Sequence, residues 1–181
     1  MKDIICNKDK EGNTLPLWFD GMNSCLDYLN GKCGGSFLYF FRIDENLFKV
    51  GISNHIVNRL KTHQKNLGDR IGTVGIIGNV TLYKQIEYIL HYILFNTKGG
   101  DGKYLFESNT FAYDTETYNI PEGVSDFKEM IELVLKLLRS VYLYNSFEQL
   151  GEGESFGFDL FNPKNSDKGL STFLLKYNDV L

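Results

Sequence analysis

The chain lacks several things that would have narrowed its function at once. It has no apolar run approaching the roughly 20 residues a membrane-spanning helix needs, and its opening, MKDIICNKDKEGN, is polar and mixed in charge, without the apolar core of a secretory signal. An intracellular location is therefore the expectation. Cysteine is scarce: Cys6, Cys25 and Cys33 form no CxxC pair and leave one thiol over however two are matched, which argues against a disulfide framework. Histidine is equally scarce, and His55, His63 and His91 lie far along the chain from the cysteines, so the tight ligand pairs of a structural zinc site are missing. There is no internal repeat. Nor is there an excess of positive charge, since the formal net charge is -4.

What is present is an ordinary globular composition, 43% hydrophobic and 23% charged over 181 residues, enough for one domain with embellishments. The charge is unevenly spread. Residues 36–109 carry nine Lys and Arg against six Asp and Glu, a local balance of +3, while the first 35 residues sum to -1 and those after Asn109 to -6. A modest basic excess thus falls on the middle of the chain, and an anionic partner would bind there.

Local patterns divide the chain into elements. A short helix is expected within 19–29, ended by Asn30-Gly31, with a turn at Gly34-Gly35. Phe37 to Ile43 and Leu47 to Ile52 are aromatic and β-branched runs separated by Asp44-Glu45-Asn46, which reads as an antiparallel hairpin. Ser53 or Asn54 is placed to cap a helix running to about Asn66, with Ile56, Leu60 and Leu67 as its apolar stripe and Gly68 closing it. A third strand is expected within Thr73 to Tyr83. A helix from about Tyr83 to Phe95 follows, with Leu82, Ile86, Ile89, Leu90, Ile93 and Leu94 on its buried side. After a glycine-rich loop, Lys103 to Glu107 reads as an extended piece. The longest helical pattern runs from Val124 to about Phe147, with Ser125 or Asp126 as cap, and the tail beyond Leu150 has no period. Three segments result: an N-terminal extension (1–35), a central module (36–109) and a C-terminal extension (110–181).

Within the central module, chemistry-bearing residues follow one another in a suggestive order: Phe37-Leu38-Tyr39, Lys49-Val50-Gly51, Arg59 and His63 four apart on one helix, then Glu87 and His91 as E-x-x-x-H, then Tyr104-Leu105-Phe106-Glu107. In this order they resemble the GIY-YIG nuclease superfamily, in the branch whose second block reads lysine, aliphatic, glycine. FLY stands where GIY is usual and KVG where YIG is usual. The resemblance covers about 70 of the 181 residues. It implies an α+β fold, a three-stranded antiparallel sheet flanked by helices, in agreement with the strand, strand, helix, strand, helix order read from periodicity.

It also implies a function: a DNA endonuclease that uses Mg²⁺ or Mn²⁺ to hydrolyse phosphodiester bonds. In that reading Tyr39 acts on the attacking water as general base and Lys49 lowers its phenol pKa. Arg59 offers a planar fork to the phosphate, His63 donates to phosphate or nucleophile, and Glu87 binds the metal. Gly51 lets the backbone pass close to the site. Lys61, Lys65 and His91 complete the substrate-binding set, and an asparagine that often follows the metal glutamate has Asn96 and Asn109 as candidates. With lysine at position 49, a mechanism using two tyrosines is excluded. One site cuts one strand, so double-strand cleavage requires a homodimer or two visits, and the 125–147 helix would either pack on the module or form a dimer seam. Restriction, mobile-element, repair and viral settings all suit such a module. The alternative is a catalytically silent module that holds nucleic acid or a protein partner, a role to which the acidic C-terminal part is suited.

Overall fold

The hairpin expected at the centre of the chain is the centre of the sheet. In the computed structural model, which describes residues 6–10, 12–32, 34–78, 80, 83–98, 102–109 and 116–138, it is preceded by a two-stranded ribbon, β1 (Asn7–Lys8) and β2 (Thr14–Leu15), by β3 (Leu17–Asp20) and by helix α1 (Met22–Leu29). The hairpin strands are β4 (Phe37–Ile43) and β5 (Leu47–Ser53), paired antiparallel over their whole length from Phe37↔Ser53 to Ile43↔Leu47. Asp44 turns the corner with φ 52°, a left-handed conformation that Asp tolerates better than most residues. Its carboxylate accepts two hydrogen bonds from Arg70, at 2.9 and 2.6 Å.

Helix α2 (Ile56–Leu67) follows, then β6 (Ile71–Ile77), α3 (Tyr83–Asn96) and β7 (Thr117–Asn119). A further helix, α4, is described over 127–138; its expected continuation to Phe147, and the tail after Leu150, lie outside the described residues. So do Cys33, Leu82 and residues 99–101 of the glycine-rich loop. The class is mixed α and β, with antiparallel sheets.

The main sheet has five strands where the resemblance implies three, in the order β3-β6-β4-β5-β7. The extra strands come from the two flanking segments. Residues 17–20 pair with β6 instead of opening a helix at Phe19, so α1 starts only at Met22, after Gly21 at φ 91°. At the other edge, residues 117–119 pair with β5. The third expected strand is β6, shifted earlier to Ile71–Ile77. Lys103 to Glu107 forms no strand, only a bridge from Tyr104 to Lys98.

The chain divides into two compact units, one of Met1–Lys84 with Ser108–Phe127 and one of Gln85–Glu107 with Lys128–Leu181. The first unit therefore draws on all three segments expected from sequence. Its core lies where α1 and α2 cover one face of the sheet: Met22, Cys25 and Leu29 from α1 and Ile56, Leu60 and Leu67 from α2 pack on Phe37, Tyr39, Phe41 and Ile43 of β4. Each fully buried Leu, Ile or Phe side chain contributes roughly 1.5–3 kcal/mol. The other face carries Trp18, Phe48, Tyr118 and Phe127, whose rings meet at centroid distances of 5.6–6.0 Å. In the second unit Ile89, Leu90, Ile93 and Leu94 of α3 are buried as the periodicity requires, while Ile86 is only half-buried.

A buried tyrosine–histidine pair as candidate active site

Antiparallel register decides which side chains share a face, because directly opposed residues point the same way. Tyr39 opposes Gly51, and Phe41 opposes Lys49. Tyr39, Gly51 and Lys49 therefore all belong to the sheet face beneath α1 and α2. The glycine is needed there: a Cβ at position 51 would overlap Oη and Cζ of Tyr39, so the phenol lies across a backbone that carries no side chain. The same device recurs on the opposite face, where the Trp18 ring lies over its cross-strand partner Gly75.

Above the sheet, α2 supplies His63. The helix buries Ile56, Leu60, His63 and Leu67, a stripe spaced four, three and four residues apart, so the imidazole occupies a position that an apolar residue would otherwise fill. His63 Nε2 and Tyr39 Oη are hydrogen-bonded at 3.1 Å, and the His63 ring sits 5.6 Å from Tyr39 and 5.2 Å from Phe41, centroid to centroid. With the proton on Nδ1, the phenol donates to Nε2. His63, expected to donate to phosphate or nucleophile, is observed bonded to the phenol of Tyr39.

The capping of α2 also departs from expectation. Its N-cap is His55, with no side-chain cap bond. The Ser53 hydroxyl accepts instead from the His55 amide at 3.0 Å, and Asn54 accepts from Ser36 at 2.6 Å. Gly68 ends the helix at φ 56°, as its position suggests.

Lys49 is fully buried, and its ammonium donates to Glu116 Oε2 at 3.0 Å. A buried cation demands a counter-charge, because removing an unpaired charge from water costs several kcal/mol. The pairing Lys49↔Thr117 explains how Glu116 arrives there: β7 docks beside β5 and carries the preceding residue with it. Glu116 was not singled out from sequence, and no local signal marks it, since its partner is 67 residues away.

Arg59, Lys61 and Lys65 are exposed on α2. Arg59 and His63, expected to share a face, straddle its boundary, the first in solvent and the second in the core. Glu87 and His91 belong to the second unit, one turn apart on α3 and both half-buried. The two candidate asparagines are engaged structurally: Asn96 donates to the Tyr92 carbonyl at 2.8 Å and Asn109 to Asn119 Oδ1 at 3.1 Å, tying residue 109 to β7.

No protein-family model, curated protein or solved structure matches the chain. What stands is the geometry: a phenol hydrogen-bonded to an imidazole, a glycine beneath the phenol, and a buried ammonium on the same sheet face. An imidazole nitrogen on a phenol can take its proton; the ammonium on the same face is engaged by Glu116.

Proposed function

We propose that this protein is a metal-dependent phosphodiesterase of GIY-YIG type, acting on DNA. The observation that supports it best is the Tyr39–His63 hydrogen bond of 3.1 Å, formed between two residues that the resemblance selects on other grounds, 24 positions apart in the chain. The agreement of the β4, β5, α2, β6, α3 order with that family's core adds weight.

Phosphodiester hydrolysis needs an activated water, donors for the non-bridging oxygens, and help for the leaving oxygen. In the proposed scheme Tyr39 receives the proton of the attacking water after passing its own to His63 Nε2. Lys49 stabilises the phenolate that this relay creates. Arg59, in solvent next to the buried pair on α2, binds the phosphate oxygens with its planar fork. Glu87 would hold the divalent ion; a half-buried carboxylate suits a hard cation that keeps most of its waters, and the Glu87 and His91 pair offers an oxygen and a nitrogen donor on one helix face. When bound, Mg²⁺ or Mn²⁺ supplies Lewis-acid polarisation of the phosphate.

A second reading, the catalytically silent module, is favoured by burial. Tyr39 is 2% exposed, His63 1% and Lys49 0%, values typical of packing residues. Nicking of supercoiled plasmid with Mg²⁺ or Mn²⁺, beside EDTA, Tyr39→Phe and Glu87→Ala, separates the two. Metal-dependent cutting lost in both variants supports the phosphodiesterase. Cutting by Glu87→Ala as fast as wild type removes the metal assignment, and no cutting of any substrate leaves the silent module.

A further inference from the structure

The outward side of α2 has a composition unlike the rest of the chain. No Asp or Glu occurs anywhere in 46–68, in a protein of net charge -4. On the helix itself Asn58, Arg59, Lys61, Thr62, Lys65 and Asn66 are all exposed. At about 100° per residue, Asn58, Thr62 and Asn66 fall in one row at i, i+4 and i+8, centred about 130° round the helix from the buried stripe. Arg59 stands on one flank of that row, and Lys61 and Lys65 stand on the other.

We propose that α2 is a recognition helix that enters the major groove of duplex DNA, the amide and hydroxyl row facing base edges and the flanking cations reaching phosphates on either wall. Charge complementarity argues for a polyanion. The arrangement argues for a duplex: a lone acidic peptide would be met by clustered cations, whereas here a row of Asn and Thr separates them. Asn offers the paired donor and acceptor that match adenine N7 and N6, and Thr offers a methyl for thymine and a hydroxyl. The Thr62 hydroxyl already donates to the Asn58 carbonyl at 3.0 Å, which fixes its methyl and its acceptor lone pairs. With 12 residues the helix is about 18 Å long, enough to lie in a groove about 12 Å wide. The deep, narrow major groove of A-form RNA would not admit it. The choice of nucleic acid as partner rests on the phosphodiesterase reading; the geometry of the helix does not.

The test reads binding in EDTA, where a cleavage defect is invisible, so it fails or succeeds separately from the nuclease assay. The full chain is used to select from duplexes with a randomised centre, and affinity for selected and scrambled duplexes is then measured by fluorescence anisotropy across salt concentrations. We expect an enriched sequence. Asn58→Ala and Asn66→Ala should each cut the preference for it by roughly 5- to 150-fold, as loss of a bidentate base contact does, with thermal melting unchanged because both residues are exposed. Lys61→Ala with Lys65→Ala should weaken both duplexes equally and make the slope of log K against log salt shallower by about 1.8, for two phosphates. No enrichment, a preference untouched by the Asn variants, a salt slope untouched by the Lys variants, or binding confined to single strands or RNA would each overturn the recognition helix.

Discussion

Replacing Gly51 by alanine adds one methyl group at the place the Tyr39 phenol already fills. The three nearest neighbours of that methyl would all be atoms of Tyr39. The ring has little room to retreat, being buried, stacked on Phe41 at 6.1 Å and hydrogen-bonded to His63 at 3.1 Å. Overpacking of this kind costs about 1–3 kcal/mol. Displacing the phenol forfeits a buried hydrogen bond worth about 0.5–1.5 kcal/mol. Gly51→Ala should therefore destabilise by roughly 2–4 kcal/mol on these two counts, read from urea unfolding as a lower midpoint at constant m-value. The structure makes a stronger claim than destabilisation, because the clash has one named partner. In a Tyr39→Leu background the phenol carbon and oxygen are gone, so the same alanine should cost less than about 1 kcal/mol, leaving a coupling of at least about 1–2 kcal/mol in the double-mutant cycle. Additive losses would mean that Gly51 is required for some reason other than the phenol, and the close approach described above would be refuted.

Further expectations test other parts of the fold. Glu116→Gln should destabilise by about 1–3 kcal/mol, below the full cost of stranding a buried cation because the carboxylate is 39% exposed, whereas Lys49→Met should be neutral or stabilising in urea unfolding; the reverse order would sink the ion-pair argument. Burial pushes the Cys25 thiol up to about 12. The folded state thus keeps a proton that the unfolded chain releases above about pH 8.5, so the thiol's contribution to stability falls as pH rises from there toward 12, by about 2–3 kcal/mol at pH 10.5; Cys25→Ala should remove the slope between about pH 8.5 and 10, below the range in which the buried Tyr118 phenol, also pushed up, adds its own, and an unchanged slope there would assign it elsewhere. For the same reason Cys25 should resist a thiol reagent until the protein unfolds, while half-buried Cys6 reacts in the native state, as peptide mapping would read. Gly75→Ala should displace Trp18, the single tryptophan, and red-shift its emission; an unmoved spectrum would contradict the ring's position over Gly75.

The sequence by itself determined the elements whose signal is local. Two aromatic and β-branched runs around Asp44-Glu45-Asn46 specified the β4–β5 hairpin almost to the residue, and the Ile56, Leu60 and Leu67 stripe specified α2 with its end at Gly68. The order of Tyr39, Lys49, Arg59, His63 and Glu87 was legible too, because it is a property of the string. What only the tertiary structure decided is pairing over distance. Strand β7 has three residues, too few to show a period, and exists because β5 offers it an edge about 70 positions earlier. Strand β3 competes with a helical reading at Phe19 and Asp20, and β6 settles the competition by pairing with them. The partners of Lys49 and His63 follow from those pairings: Glu116 arrives with β7, and the helical stripe turns His63 down onto a phenol that the sheet register holds over Gly51. Local periodicity fixes which face a side chain takes within its own element, whereas the group it meets there is set by contacts between distant segments, which no local pattern encodes.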